Sequence, residues 1–137
     1  MSFSDIHNVG ATVKVVTGVS PVASAAATIN GVAVDRRDFG SAVLTHFAGA
    51  ATGAPTAQTA ATKLQESDTS GGTFTDVTGA APSDLTVDDT DSSVDVDLTG
   101  VKRFVRVVTT VSFTGGTSPT LPVGAALVLG GSVDAPV

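Results

Sequence analysis

The chain contains no cysteine, tryptophan or tyrosine, and its 137 residues include one glutamate (Glu66), three lysines and two histidines. Without cysteine there is no disulfide to staple the fold, and a zinc centre of the usual Cys/His kind has no ligand set. Without tryptophan or tyrosine a sugar site lacks the platforms such sites use, and paired carboxylates alone do not make a glycosidase. Seven Lys and Arg stand against thirteen Asp and Glu, for a net charge of −6. A phosphate backbone is bound by clustered cations, so neither nucleic acid nor an anionic membrane is an expected partner. No run of about 18 apolar residues occurs, so no membrane-spanning helix is expected. The segment Met1-Ser2-Phe3-Ser4-Asp5-Ile6-His7 has no basic stretch leading into an apolar run, so no secretion signal is expected either.

What is present is alanine, valine, threonine and glycine. The apolar fraction is 42%, but it is built from small side chains, which suit thin sandwich layers and close subunit contacts. Val and Thr are stiff at χ1 and favour the pleated sheet, whereas the usual fillers of exposed helix, Glu and Lys, are scarce. The length is that of one domain, able to bury roughly two-thirds of its unfolded surface. The mean hydropathy is positive for so acidic a chain, which points to apolar surface covered by neighbouring subunits.

Alternation predicts strands along most of the chain. Val9 to Thr17 is expected as a strand with Val9, Ala11, Val13 and Val15 on one face, ended by Gly18. Asn30-Gly31, between Ala27-Thr28-Ile29 and Val32-Ala33-Val34, predicts a tight type I′ hairpin. Ser41 to Ala48 is expected as a strand although Phe39, Val43 and Phe47 recur at helical spacing, because glycines close both ends. Thr59 to Ser67 and Thr73 to Thr78 are expected to pair across a polar loop, and residues 79–91 read mostly as loop. Val94, Val96 and Leu98 alternate with Asp95, Asp97 and Thr99, one face dry and one wet. Lys102 to Phe113 and Val123 to Leu129 complete about nine short strands. The fold class is therefore all-β, an antiparallel sandwich or barrel, with an N-terminal arm over residues 1–8, the domain over 9–131 and a tail over 132–137.

Few groups carry chemistry. Asp84, Asp88, Asp89, Asp91, Asp95 and Asp97 could offer oxygen ligands to Ca²⁺, but their spacing lacks the central glycine and terminal glutamate of an EF-hand loop, and they read better as a solvated loop and a wet strand face. His46 sits in an apolar run with no nucleophile motif near it, and no Gly-x-Ser-x-Gly elbow is present. The glycine pairs Gly71-Gly72 and Gly115-Gly116 open no helix, so they are turn glycines rather than a phosphate cradle. No catalytic residue, metal site or cofactor is expected.

Positive charge concentrates in Arg36, Arg37, Lys102, Arg103 and Arg106. Arg36, Arg37, Arg103 and Arg106 are candidate interface residues, able to pair with the Asp-rich faces of adjacent subunits. Ordinary salt bridges within the chain are an equal reading. Phe3 and Ile6, in an arm that would order on a partner, are further interface candidates.

Three stretches carry a resemblance: Asn30-Gly31-Val32-Ala33-Val34-Asp35-Arg36; Lys63-Leu64-Gln65-Glu66-Ser67-Asp68 with Gly72-Thr73-Phe74-Thr75-Asp76-Val77; and Lys102-Arg103-Phe104-Val105-Arg106-Val107 with Gly115-Gly116-Thr117-Ser118-Pro119. In this order the chain resembles small virion structural proteins of tailed bacteriophages, over roughly residues 29 to 131. Phe74 occupies a place where such sequences often carry tryptophan, which keeps an apolar plug and loses the indole donor. The polar loop, aromatic, Thr75-Asp76-Val77 order also resembles jelly-roll sandwiches. The resemblance implies a jelly-roll-like capsid decoration protein, made in the host cytoplasm and placed on the capsid exterior. Its partners would be the major capsid protein and further copies of itself, with a trimer favoured. A head–tail connector or tail component, and a carbohydrate-binding or adhesive sandwich, are the alternatives.

Overall fold

The computed structural model describes residues 8–132. The expected arm and tail, and with them Phe3 and Ile6, fall outside the described residues except at their inner ends. After a 3-10 turn at Val9–Ala11 come nine strands: β1 (Lys14–Ser24), β2 (Ala27–Asn30), β3 (Val34–Asp35), β4 (Phe39–Ala48), β5 (Ala57–Ser67), β6 (Thr75–Asp76), β7 (Thr90–Asp97), β8 (Phe104–Thr114) and β9 (Leu121–Ser132). Among the described residues there is no α-helix.

Two antiparallel sheets result. One has the order β1-β9-β4-β7, and the other β2-β8-β5-β6 with β3 also on β8. Apart from the short hairpin β5–β6, each step along the chain from β1 to β9 passes to the other sheet, if β2 and β3 are taken as one interrupted edge strand. This is jelly-roll connectivity, and the all-β sandwich expected from composition is what the chain forms.

The core lies between the sheets because alternate residues point inward. Leu44, Leu127 and Leu129 from one sheet meet Leu64, Val105 and Val107 from the other, and none is more than 1% exposed. A second cluster, with Ala60, Leu85, Val111 and Leu121, fills the opposite end of the sandwich. Between the clusters along the strands sit the buried polar side chains His46, Thr62 and Thr109.

Two expectations are corrected. The first strand starts later and runs further than Val9 to Thr17: Val9–Ala11 is a 3-10 turn, and β1 continues through Gly18 to Ser24. Its register on β9 shifts on either side of Val19, and Val16 and Val19 face the core while Val15 faces out. Gly18 does not end the strand; it lets the strand pass closely, since a Cβ there would lie 2.7 Å from Val107 Cγ2.

The second correction concerns Asn30-Gly31, which makes no hairpin. β2 and β3 both pair with β8, in line with each other along one edge. The Gly31 N–H donates to the Val107 carbonyl at 2.7 Å, and neither Asn30 nor Gly31 has a positive φ. A Cβ on Gly31 would collide with the Gly18 carbonyl oxygen and lie 2.8 Å from that of Val107. The glycine serves close approach of backbones rather than a left-handed turn.

Candidate interaction surface

Six of the seven lysines and arginines are gathered at one sheet. Arg36 and Arg37 follow β3, Lys63 lies on β5, Lys102 and Arg103 lead into β8, and Arg106 is on β8. Because Val105 and Val107 fill the core, Phe104 and Arg106 point outward; Lys63 and Gln65 do the same on either side of Leu64.

Each cation has a different use. Arg36 works inside the fold: its guanidinium donates to the carbonyls of Lys102 (3.2 Å), Val101 and Phe39 (3.5 Å), fastening the β7–β8 loop to the start of β4. Arg103 donates through Nε and Nη2 to one oxygen of Asp35, at 3.1 and 2.8 Å. That contact holds the Asp35 carboxyl below its ordinary range, with the Arg37 backbone N–H helping and slight burial opposing. Lys63 and Gln65 both donate to Asp76, at 3.0 and 2.9 Å, and these bonds lower the Asp76 pKa, Gln65 contributing most. Lys102 lies 3.7 Å from Asp68.

Arg37 and Arg106 have no carboxylate partner among the described residues. Arg106 donates to Gln65 Oε1 at 2.9 Å and lies 4.5 Å from the centre of the Phe74 ring. Arg103 lies over Phe104 at 5.0 Å. Two arginine–phenylalanine stacks therefore face outward on this sheet, a composition typical of association surfaces. The structure thus places Arg36 in an internal bond set and Arg103 in an intrachain pair, and leaves Arg37 and Arg106 as the members of the candidate set without an acid. Sequence reasoning singled out Phe74 only as an apolar plug and did not single out Phe104, whose place next to Arg103 was the available signal.

The outer face of the other sheet is different. Register places residues in rows across β7, β4, β9 and β1: Asp95, Val43, Val128 and Val15; Ser93, Thr45, Ala126 and Thr17; Asp91, Phe47 and Gly124; Asp97, Ser41 and Gly130. Val15 is 69% exposed and Phe47 42%. Phe47 lies over Gly124, where an added Cβ would sit 2.5 Å from the ring. A shallow groove of about 510 Å³ runs beside Val13, Val43, Val128 and Asp95. β4, β7 and β9 contain no lysine or arginine.

Of the acidic segment, Asp88 accepts from the Ala51 N–H (3.0 Å) and Gln58 Nε2 (2.8 Å), and Asp97 from the Thr99 N–H (2.9 Å). These bonds hold both carboxyls below the ordinary range. Among the described residues no three His, Asp or Glu converge as a metal cage would require. His46 is buried, with Nε2 donating to the Ser83 carbonyl at 2.8 Å and Nδ1 unpartnered, and burial pushes its pKa down.

No protein-family model matches the chain, and no curated protein matches it in sequence. Solved structures do match in shape. The chain shares its fold with viral proteins. The PBSX exported protein XepA aligns at a TM-score of 0.57 and 14% identity, over 95% of this chain and 41% of that one. The infectious bursal disease virus VP2 subviral particle aligns at 0.52 and 14%, over 87% and 33%. The SPBc2 prophage-derived protein YomS aligns at 0.49 and 16%, over 85% and 91%. The chain thus spans less than half the length of XepA and about a third of the VP2 chain, and at these identities the likeness is one of fold.

Proposed function

We propose that the chain is a non-catalytic structural protein of a tailed-phage virion, and that it decorates the outside of the capsid as a cyclic oligomer, with a trimer favoured. The observation that carries this reading is a jelly roll whose two outer faces both suit contact: one has an apolar patch bordered on one side by aspartates, the other carries arginine–phenylalanine stacks. The same fold in phage-derived and viral-particle proteins supports the setting. The major capsid protein is the proposed shell partner, and the virion exterior the proposed location. A sandwich with a packed core and no cysteine suits a part that reinforces by packing.

The test is to mix purified protein with empty mature capsids lacking it, and separately with tails, and to image both by electron microscopy. Regular density over the whole shell is expected. Density at one vertex or along the tail alone overturns the decoration reading in favour of a connector or tail component. Glycan binding by a chain that ignores both particles favours an adhesive sandwich.

A further inference from the structure

We propose that copies of this chain associate head to tail, the outer face of β1-β9-β4-β7 on one copy covering the arginine- and phenylalanine-bearing outer face of β3, β8, β5 and β6 on the next. The proposal rests on the oligomeric part of the decoration reading and not on shell binding.

The argument starts from how charge is divided. The first face has Asp91, Asp95 and Asp97 along the outer side of its edge strand β7, all exposed, and none forms an ion pair with a described residue. Lys14 is the lone lysine or arginine on that sheet's four strands. The second face holds Arg106, which lacks an acid and stacks on Phe74, and Arg103 over Phe104; exposed Arg37, in the turn that leaves β3, has no ion pair with a described residue either. The first face therefore has aspartates without cations, and the second, beside its Lys63–Asp76, Lys102–Asp68 and Arg103–Asp35 pairs, has an arginine without an acid, so a neighbour offers each the charge it lacks.

Apolar area sits in the middle of the same surfaces. Val15, Val43, Val128 and Phe47 form a patch bordered on one side by the aspartates. An apolar centre with a charged margin is the usual anatomy of a protein–protein contact. A symmetric pairing of the acidic face with its own copy is disfavoured, because it would set the β7 aspartates against one another. A contact between two different faces is heterologous, and it closes into a ring when the rotation between copies divides a full turn.

Analytical ultracentrifugation of the full chain and of charge-reversed variants tests this. Wild-type protein is expected above the 13.5 kDa of one chain, at a multiple of it. Arg37→Glu with Arg106→Glu, and separately Asp91→Lys with Asp95→Lys, are expected to weaken association by about tenfold or more. The chain carrying all four changes is expected to regain the oligomer, since the complementarity is restored with the signs exchanged. Circular dichroism and the unfolding midpoint identify folded variants. Should a double variant not fold, Arg37→Glu and Val15→Asp, both at exposed positions, carry the test. Monomeric wild-type protein at every concentration, a double variant with unchanged mass, or a folded fourfold variant that stays monomeric overturns the proposal. An oligomer that ignores capsids sinks the decoration reading alone, and a monomer that coats them sinks this interface alone.

Discussion

Thr62 and Thr109 share a hydrogen bond of 2.7 Å in the middle of the sandwich, each hydroxyl buried and facing the other from neighbouring strands. With His46 they form the polar level between the two apolar clusters of the core. A buried hydroxyl that loses its partner keeps its desolvation cost, whereas removing both hydroxyls removes the requirement. Thr62→Val or Thr109→Val alone is therefore expected to lower stability by about 1–3 kcal/mol. The double valine variant should be closer to wild type than either single change. Urea unfolding of the four proteins in a double-mutant cycle checks it, and additive losses would contradict it.

His46 makes stability depend on pH. Because burial lowers its folded pKa below the ordinary value near 6.5, the unfolded chain takes up a proton before the folded chain does. The Ser83 carbonyl and the charges of Asp84 and Asp91 oppose this shift without reversing it. Stability from this group is thus fully present above pH 6.5 and falls as pH drops below it. The denaturation midpoint is expected to decline from pH 7 toward pH 5, and His46→Leu should flatten the decline. The lowered carboxyls of Asp35, Asp76, Asp88 and Asp97 act in a separate, more acidic window, through loss of bonds present above their unfolded values.

Arg36 is expected to matter for stability more than any exposed ion pair. Its guanidinium serves backbone carbonyls of Val101, Lys102 and Phe39, which no other described side chain replaces. Arg36→Ala should cost about 1.5–3 kcal/mol, the range for hydrogen bonds to charged groups. Arg36→Lys should recover only part of this, because an ammonium lacks the planar fork that reaches several oxygens. Thermal unfolding measures both, and a lysine variant equal to wild type would show that charge alone suffices.

Gly31 and Gly71 provide a contrast. A methyl on Gly31 meets the carbonyl oxygens of Gly18 and Val107, whereas at Gly71 nothing lies within 4 Å. Gly31→Ala is expected to destabilise by about 1–3 kcal/mol through overpacking, and Gly71→Ala to leave the unfolding midpoint nearly unchanged. An equal response at the two positions would remove the close-approach role assigned to Gly31.

The strands with the clearest two-residue period were legible in the sequence. Asp95 and Asp97 face water and Val96 and Leu98 face the core because alternation is a property of the strand itself. The choice of strand over helix for Ser41 to Ala48 was legible for a related reason: glycines bound the run, and β-branched residues suit a pleated surface. Asn30-Gly31 was not legible. Its local signal is that of a hairpin turn, but pairing of both flanking segments with β8 satisfies their backbone groups, and that partner lies 69 to 84 residues away in the chain. The β1 boundaries were missed likewise, since Gly18 is a breaker by propensity and a contact glycine by packing.

The sequence by itself determined the class of the protein. Its small β-prone apolar residues, its lack of cysteine and tryptophan, and its acidic balance each act through local preference or total charge, which need no partner in space. Only the tertiary structure decided which arginines are occupied and which are left over. Arg36 and Arg37 are adjacent in the chain, yet one holds carbonyls of the β7–β8 loop and the other finds no acid among the described residues. The same holds for the two outer faces. Cations that look scattered along the chain are gathered by the fold at one sheet, where three of them meet Asp35, Asp68 and Asp76, while Asp91, Asp95 and Asp97 are left unpaired on the other, because jelly-roll connectivity sends successive strands to opposite layers.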